Sequence, residues 1–298
     1  MRGCLMGLMC GDALGAPLEF KSTAELRIRY PLGIRSMVCG WGRTEHRQAG
    51  DITDDSEMAL ALLRSLLQCP SYSAELARTA YLDWHLTSPK DEGITTAQAL
   101  DGIPFPESQA NGALMRIAPL AIVSLLVPEM DWQQAAAQDA AITHIHPKCA
   151  HANIIFVESL RLAMLGNSRE RIYHAALARA QALDSPSLRA RLEAARATEP
   201  DTQPHAGWVE IAFHTAYYQL LHARDFPSSL CGVVNRLGDP DTNGAITGAL
   251  LGALFGLSSI PTDWQQAVLQ SSVSRPERYR ASYGVSLLES LLARLPLT

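Results

Sequence analysis

The chain reads as an all-α protein, and three observations lead there. Ala and Leu dominate an apolar fraction of 47%, while aromatics make up only 6%; that mix favours tightly packed helices over sheets. No run of alternating β-branched residues stands out anywhere. Where periodicity is clear, as at Met58, Leu62, Leu63 and Leu66, it is the three- and four-residue spacing of a helix face. Roughly a dozen helices are expected. No repeat of fixed period and no low-complexity linker divides the 298 residues, so a single domain over 1–298 is expected.

In order, residues 3–18 hold small and apolar residues at close spacing and predict a helix packed closely on its neighbours. Residues 31–51, rich in Gly and polar residues, predict loop. Asp54 to Leu67 predicts a helix with Thr53 or Asp54 as its N-cap. A helix over 73–87 follows, then a turn at Pro89–Gly93 and loop through Pro104 and Pro106. Asn111-Gly112 predicts a helix start running to about Leu126, with Pro119 kinking it or marking its buried middle. Helices over 131–145 and 149–165 are separated at His146-Pro147. Polar-faced helices over 169–183 and 187–197 lead to a loop over 198–206. Helices over 207–222, 227–237 and 244–257 are expected next, and 261–270 and 276–295 close the chain.

Composition narrows the function classes. The formal net charge is −5, with no long basic run, which disfavours non-specific nucleic-acid binding. The six cysteines include no C-x-x-C pair and read as reduced core residues of a cytoplasmic protein. The apolar N-terminal run is short and is interrupted by Asp12, without an A-x-A cleavage site, which argues against a signal peptide. No window reaches the ~18 apolar residues of a membrane span.

Two acidic clusters stand some 185 residues apart: Thr53-Asp54-Asp55 in G-D-I-T-D-D-S-E, and Asp239-Pro240-Asp241-Thr242 in G-D-P-D-T-N-G. Each sets carboxylates beside a threonine hydroxyl at the start of an apolar helix. Either alone is satisfied by an N-cap with acidic residues that complement the helix dipole. The pair together points to a shared site. Two carboxylates about 4 Å apart repel by about 4 kcal/mol at an effective dielectric near 20, and a hard divalent cation with oxygen ligands removes that cost.

Five blocks then carry a specific likeness: G-L-M-C-G-D-A-L-G-A-P-L-E-F, G-D-I-T-D-D-S-E-M-A-L-A-L, P-K-D-E-G-I-T-T, N-G-A-L-M-R-I-A-P followed by T-H-I-H-P, and G-D-P-D-T-N-G-A-I-T-G-A. In this order, over about residues 3 to 256, they resemble the ADP-ribosylglycohydrolase family, and in particular its bacterial dinitrogenase reductase-activating members. The resemblance implies an orthogonal helical bundle around a central cleft with two Mg²⁺ or Mn²⁺ ions. Thr53, Asp54 and Asp55 would be ligands from one side, and Asp239, Asp241 and Thr242 from the other. Glu19 and Asp91 would be the catalytic acid and base, in an order left open. Unaided, Glu19 reads as a helix-end surface residue and Asp91 as a turn Asp before Gly93. The family pattern often has Asn at the place of Ile94, so one polar contact is lost here.

Asn111 and Gly112 would contact the pyrophosphate of ADP-ribose, or form an ordinary Asn-Gly turn. Arg116 reads as a phosphate contact or, preferably, as the partner of a carboxylate. His144 and His146 form an H-x-H before Pro that lacks a matched Cys or third His, which reads as a satisfied helix-end residue; the resemblance implies that His144 contacts substrate instead of metal. Trp208 is a stacking aromatic or a core anchor. The implied activity is hydrolysis of the N-glycosidic bond between ADP-ribose and a modified protein arginine, so ADP-ribose and an ADP-ribosylated protein are the expected partners. The alternatives are a hydrolase of another linkage (serine, nucleobase or a free metabolite) and an ADP-ribose-binding immunity protein that neutralises a toxin.

Overall fold

The structure is a computed structural model that describes residues 1–271 and 275–294. Among the described residues it is built from helices, with one isolated antiparallel bridge between Ala110 and Trp208. The first half of the chain carries α1 (Arg2–Gly15), α2 (Thr23–Arg29), α3 (Asp54–Gln68), α4 (Ala74–His85), α5 (Ile94–Leu100), α6 (Ala118–Val123), α7 (Trp132–Thr143) and α8 (Pro147–Met164). The second half carries α9 (Arg169–Ala182), α10 (Pro186–Ala195), α11 (Val209–His222), α12 (Phe226–Val234), α13 (Pro240–Phe255), α14 (Thr262–Gln270) and α15 (Ala281–Arg294).

The centre of the bundle is the antiparallel pair α1 and α13. Glycines recur every fourth position on α1 and face glycines on α13. A Cβ added at Gly3 would lie 2.3 Å from the Gly252 carbonyl oxygen, one at Gly7 2.2 Å from that of Gly248, and one at Gly11 2.0 Å from that of Gly244. The backbones are therefore in direct contact, and no side chain fits between them. The same row continues to Gly15, where a Cβ would stand 2.3 Å from the Asp241 backbone nitrogen. The close approach thus delivers the first turn of α13, with its acidic cluster, to the C-terminal end of α1. Both helices are buried nearly all round, as expected for a helix pair at the core of a multilayered bundle. Helices α3, α6, α8, α11, α12, α14 and α15 pack on this pair, α4, α7, α9 and α10 pack on those helices in turn, and one contiguous apolar cluster runs from Cys4 to Leu291.

Several boundaries differ from expectation. The short helix α5 stands where loop was expected, and α2 lies between the expected helix over 3–18 and the expected loop over 31–51, where no element was expected. α2 starts at a capping box in which Ser22 and Glu25 satisfy each other's backbone N–H groups, a pattern readable as S-T-A-E. No helix starts at Asn111: Met115 N–H bonds to the Asn111 carbonyl for one turn, and the chain then bends. Helix α6 begins only at Ala118, with Pro119 in its first turn, where a missing N–H costs nothing. Helix α13 begins at Pro240 and not at Gly244, so Asp241 and Thr242 sit within its first turn and Asp239 is its N-cap. The closing helix starts at Ala281, after Pro276 and a short 3₁₀ turn; residue 295 of the expected span lies outside the described residues.

Candidate active site

The N-terminus of α3 is capped by another helix. The Thr53 N–H donates to Asp12 Oδ2 of α1 at 2.9 Å, the Ser56 N–H donates to the same oxygen at 3.1 Å, and the Ser56 hydroxyl joins them. Thr53, at the N-cap position, makes no side-chain cap bond. Its hydroxyl instead donates to Asp55 Oδ2 at 3.0 Å. The Thr242 hydroxyl of α13 reaches the same oxygen at 3.4 Å, across 187 residues of sequence. The two clusters therefore meet at one carboxylate, whose other oxygen is buried with no protein partner among the described residues.

Around this junction lies an open cleft of about 450 Å³, within the range of small-molecule sites. Glu19, Asp54, Asp91, Asn111, Gly112, His144, Trp208, Asp239, Asp241 and Thr242 all line it; Thr53 and Asp55 stand behind this wall. Carboxylate oxygens of Glu19, Asp91 and Asp241 lie within 4.8 Å of one another. Asp54 Oδ2 accepts the Gly93 N–H at 3.3 Å, and Asp239 Oδ2 accepts the Asn111 side-chain N–H at 2.6 Å.

This crowding raises carboxyl affinities for protons. Burial, reinforced by the neighbouring Asp91, pushes Glu19 up to about 8. Burial and the surrounding carboxylates hold Asp54, Asp55 and Asp241 well above the ordinary range. Asp12 is raised by burial to about 6, against the pull of its bonds to Ser56 and Thr53. The buried Arg47 pairs with Asp91. Burial opposes its charge, but Asp91, Asp241, Asp12 and Glu19 outweigh it and raise its pKa.

The far wall is formed by segments that clip together. The Asn111 N–H bonds to the Gly207 carbonyl and the Val209 N–H to the Gln109 carbonyl, both at 2.9 Å. Because Asn111-Gly112 lies in a turn and not at a helix start, no helix dipole is available there for a phosphate. Gly112 is instead a point of close approach: a Cβ would stand 2.9 Å from His144 Cε1. Trp208 is 40% exposed at the rim, stacked on His205 with ring centroids 4.3 Å apart, so it is no core anchor. Arg116 turns away from the cleft and is fully buried against Asp139.

Two residues of the site have no counterpart among the sequence candidates. Asp12 had a legible signal, since it is the lone charge in a glycine-spaced apolar run. Arg47 had none: it is one of several arginines in a loop, and only the fold brings it to Asp91. The donor set is all oxygen: carboxylates, threonine hydroxyls, and an orphaned Asp55 Oδ1. Such a set fits a hard cation, and the acidic cluster of Glu19, Asp91 and Asp241 could hold one.

Fold and cleft together define an all-helical protein with an acidic, oxygen-lined cleft. Residues 1–295 match the ADP-ribosylglycohydrolase family, and the chain belongs to it. It is 30% identical to the ADP-ribosyl-[dinitrogen reductase] glycohydrolase of Rhodospirillum rubrum, over 88% of this chain and 87% of that one. It is 26% identical to the ADP-ribosylarginine hydrolase Tri1 of Pseudomonas putida, over 91% and 74% respectively. A solved structure described as an ADP-ribosylglycohydrolase-related protein complex superimposes with a TM-score of 0.78 at 28% identity, covering 96% of each chain. No helix among the described residues is long and apolar enough to cross a membrane.

Proposed function

We propose that this protein is a hydrolase dependent on two divalent cations, Mg²⁺ or Mn²⁺, that cleaves the N-glycosidic bond between ADP-ribose and a protein arginine. The observation that carries the reading is the meeting of Thr53-Asp54-Asp55 and Asp239-Asp241-Thr242 at Asp55, beside the cluster of Glu19, Asp91 and Asp241. The arginine linkage is favoured by likeness to relatives named for dinitrogen reductase and for ADP-ribosylarginine. A human relative named ADP-ribosylhydrolase ARH3, a name that specifies no linkage, is 24% identical over 89% of this chain; another linkage is the second reading.

Bound at these oxygens, the cations would supply Lewis-acid stabilisation and a water of lowered pKa. The chain's own residues divide the remaining work. Asp91 is engaged by the Arg47 guanidinium, which orients it as an acceptor. Glu19 lies within 4.8 Å of it, has no ion-pair partner among the described residues, and is the group suited to deliver a proton to the leaving nitrogen. The carboxylates that remain ionised face the ribose carbon and stabilise its oxocarbenium character. Asn111, held on Asp239, and Gly112 line the path of the pyrophosphate, and the Trp208–His205 stack offers a ring face at the rim.

The test is release of ADP-ribose from arginine-, serine- and nucleobase-linked substrates, with and without added Mn²⁺ or Mg²⁺. Release from the arginine conjugate alone, lost with chelator and restored by metal, supports the reading. Turnover in exhaustively stripped protein, or a preference for another linkage, overturns the corresponding part.

A further inference from the structure

His144 closes one wall of the cleft, and its surroundings determine which ring nitrogen carries the proton. It is 1% exposed. Its Nδ1 lies 2.8 Å from the Thr143 hydroxyl. The same hydroxyl oxygen accepts an N–H from Arg116 at 2.8 Å. Arginine only donates, so that bond occupies a lone pair of Thr143 and leaves its hydrogen to be placed. Among the described residues the Thr143 hydroxyl makes no bond to Asp139, whose Oδ1 and backbone oxygen accept from Arg116, at 3.1 and 2.8 Å, and whose Oδ2 accepts the Tyr81 hydroxyl at 2.8 Å. The remaining acceptor for the Thr143 hydrogen is His144 Nδ1. The ring proton then sits on Nε2, which is buried and has no protein partner among the described residues, on a side chain that lines the cleft.

We propose that Arg116 and Thr143 are positioning residues that lock His144 as a neutral Nε2–H donor to an acceptor oxygen of the ligand. The lock is rigid, because Arg116 and Asp139 are both fully buried and the guanidinium also rests 4.2 Å from the Tyr81 ring centroid. Charge supports the neutral ring: burial first, and the Arg116 charge second, push His144 down to about 3. An unpaired N–H in such a place costs stability until it meets an acceptor. The acceptor class is a phosphate or ribosyl oxygen of ADP-ribose; this half of the inference rests on the proposed function, while the lock itself does not.

The test separates the two. In ligand-free protein labelled with ¹⁵N-histidine, with the His144 signals assigned by their loss in His144→Gln, the Nε2–H tautomer should dominate. Thr143→Val, which keeps the shape and removes the hydroxyl, should give a mixed tautomer and weaken ADP-ribose binding about tenfold by calorimetry, the worth of one hydrogen bond. Thr143→Ser should restore both. A dominant Nδ1–H tautomer in the parent chain, or unchanged ADP-ribose affinity in a folded Thr143→Val, overturns the proposal. An Nε2–H tautomer in a parent chain that does not bind ADP-ribose upholds the lock and overturns the ligand. Phosphate and ribose titrated separately distinguish the two oxygen classes by which of them shifts the His144 Nε2 signal.

Discussion

Asp241→Asn should shift stability in opposite directions with and without metal. The Asp241 carboxylate lies within 4.8 Å of those of Glu19 and Asp91, so each ionised pair repels by about 3 kcal/mol at an effective dielectric near 20. An asparagine side chain keeps the shape and can still accept the Thr242 N–H that Asp241 Oδ1 accepts at 3.0 Å. In metal-free protein the substitution should therefore raise the melting temperature or leave it unchanged. Mn²⁺ at about a hundredfold over its Kd should stabilise the parent by about 2.7 kcal/mol, or about 5 °C for a chain of this size, and the Asp241→Asn variant should forfeit most of that gain. The melts are best followed by circular dichroism at about pH 8.5 and about pH 6, on either side of the raised Glu19. Glu19 is raised to about 8 in the fold, and Asp54, Asp55 and Asp241 are also raised. The folded state then binds more protons than the unfolded state between the ordinary carboxylate range and these raised values, so metal-free stability falls as pH rises through that window. Acidifying across the window should raise the metal-free melting temperature. An equal Mn²⁺ response in parent and variant, or metal-free stability that grows with pH over this window, refutes the reasoning.

Asp54→Ala should reduce ADP-ribose release to below about a hundredth of the parent rate, since loss of groups that merely support a metal ligand already costs about 10- to 100-fold; a steady-state assay with saturating Mn²⁺ decides it. Gly248→Ala should lower the melting temperature by at least about 6 °C, because its Cβ would stand 2.1 Å from the Gly7 carbonyl oxygen, worse than ordinary overpacking of about 1–3 kcal/mol. The control is Gly232→Ala on α12, where nothing lies within 4 Å and stability should hold or rise. Asp12→Ala removes the acceptor of the Thr53 and Ser56 donors and should cost about 1–2 kcal/mol in urea unfolding. Mn²⁺ binding near neutral pH should release protons, read as a dependence of the calorimetric heat on buffer ionisation enthalpy; no such dependence would remove the raised carboxyls from the binding step.

The metal-ligand candidates were legible because each pairs Asp with Thr at a helix start, a local pattern that survives folding unchanged. The all-helical class followed from composition and period. What escaped depends on contacts between remote segments. The single turn at Asn111 looks like a helix start, with Met115 bonded back to Asn111, but the next bond runs from Ile117 to Leu114 and the helix proper begins only at Ala118. The seven residues of α5 are too few to show a period, and its N-cap, Gly93, makes no side-chain cap bond. Helix α13 starts at Pro240, before the expected Gly244, in keeping with the first-turn preference of proline. Arg47 carries no local mark at all.

The balance of charge explains how this cleft could hold a cation. Two helix N-termini, those of α3 and α13, carry the acidic clusters into the site, and their dipoles favour carboxylates by about 0.3–1 kcal/mol each, rising to ~2 in partly buried geometry. That is less than the about 3 kcal/mol of a single pair among Glu19, Asp91 and Asp241. Arg47 offsets one negative charge through its ion pair with Asp91. The remaining repulsion has two outlets in this fold: protons on the raised carboxyls, or a divalent ion among their oxygens. Relaxation by spreading apart is blocked, because Gly15 sets the end of α1 directly on the backbone of Asp241, and Asp12 ties the same helix to the start of α3. The glycine contact that packs the core therefore also holds the ligand candidates at a spacing they would not adopt alone. Loosening it should weaken cation binding even where every oxygen donor is intact.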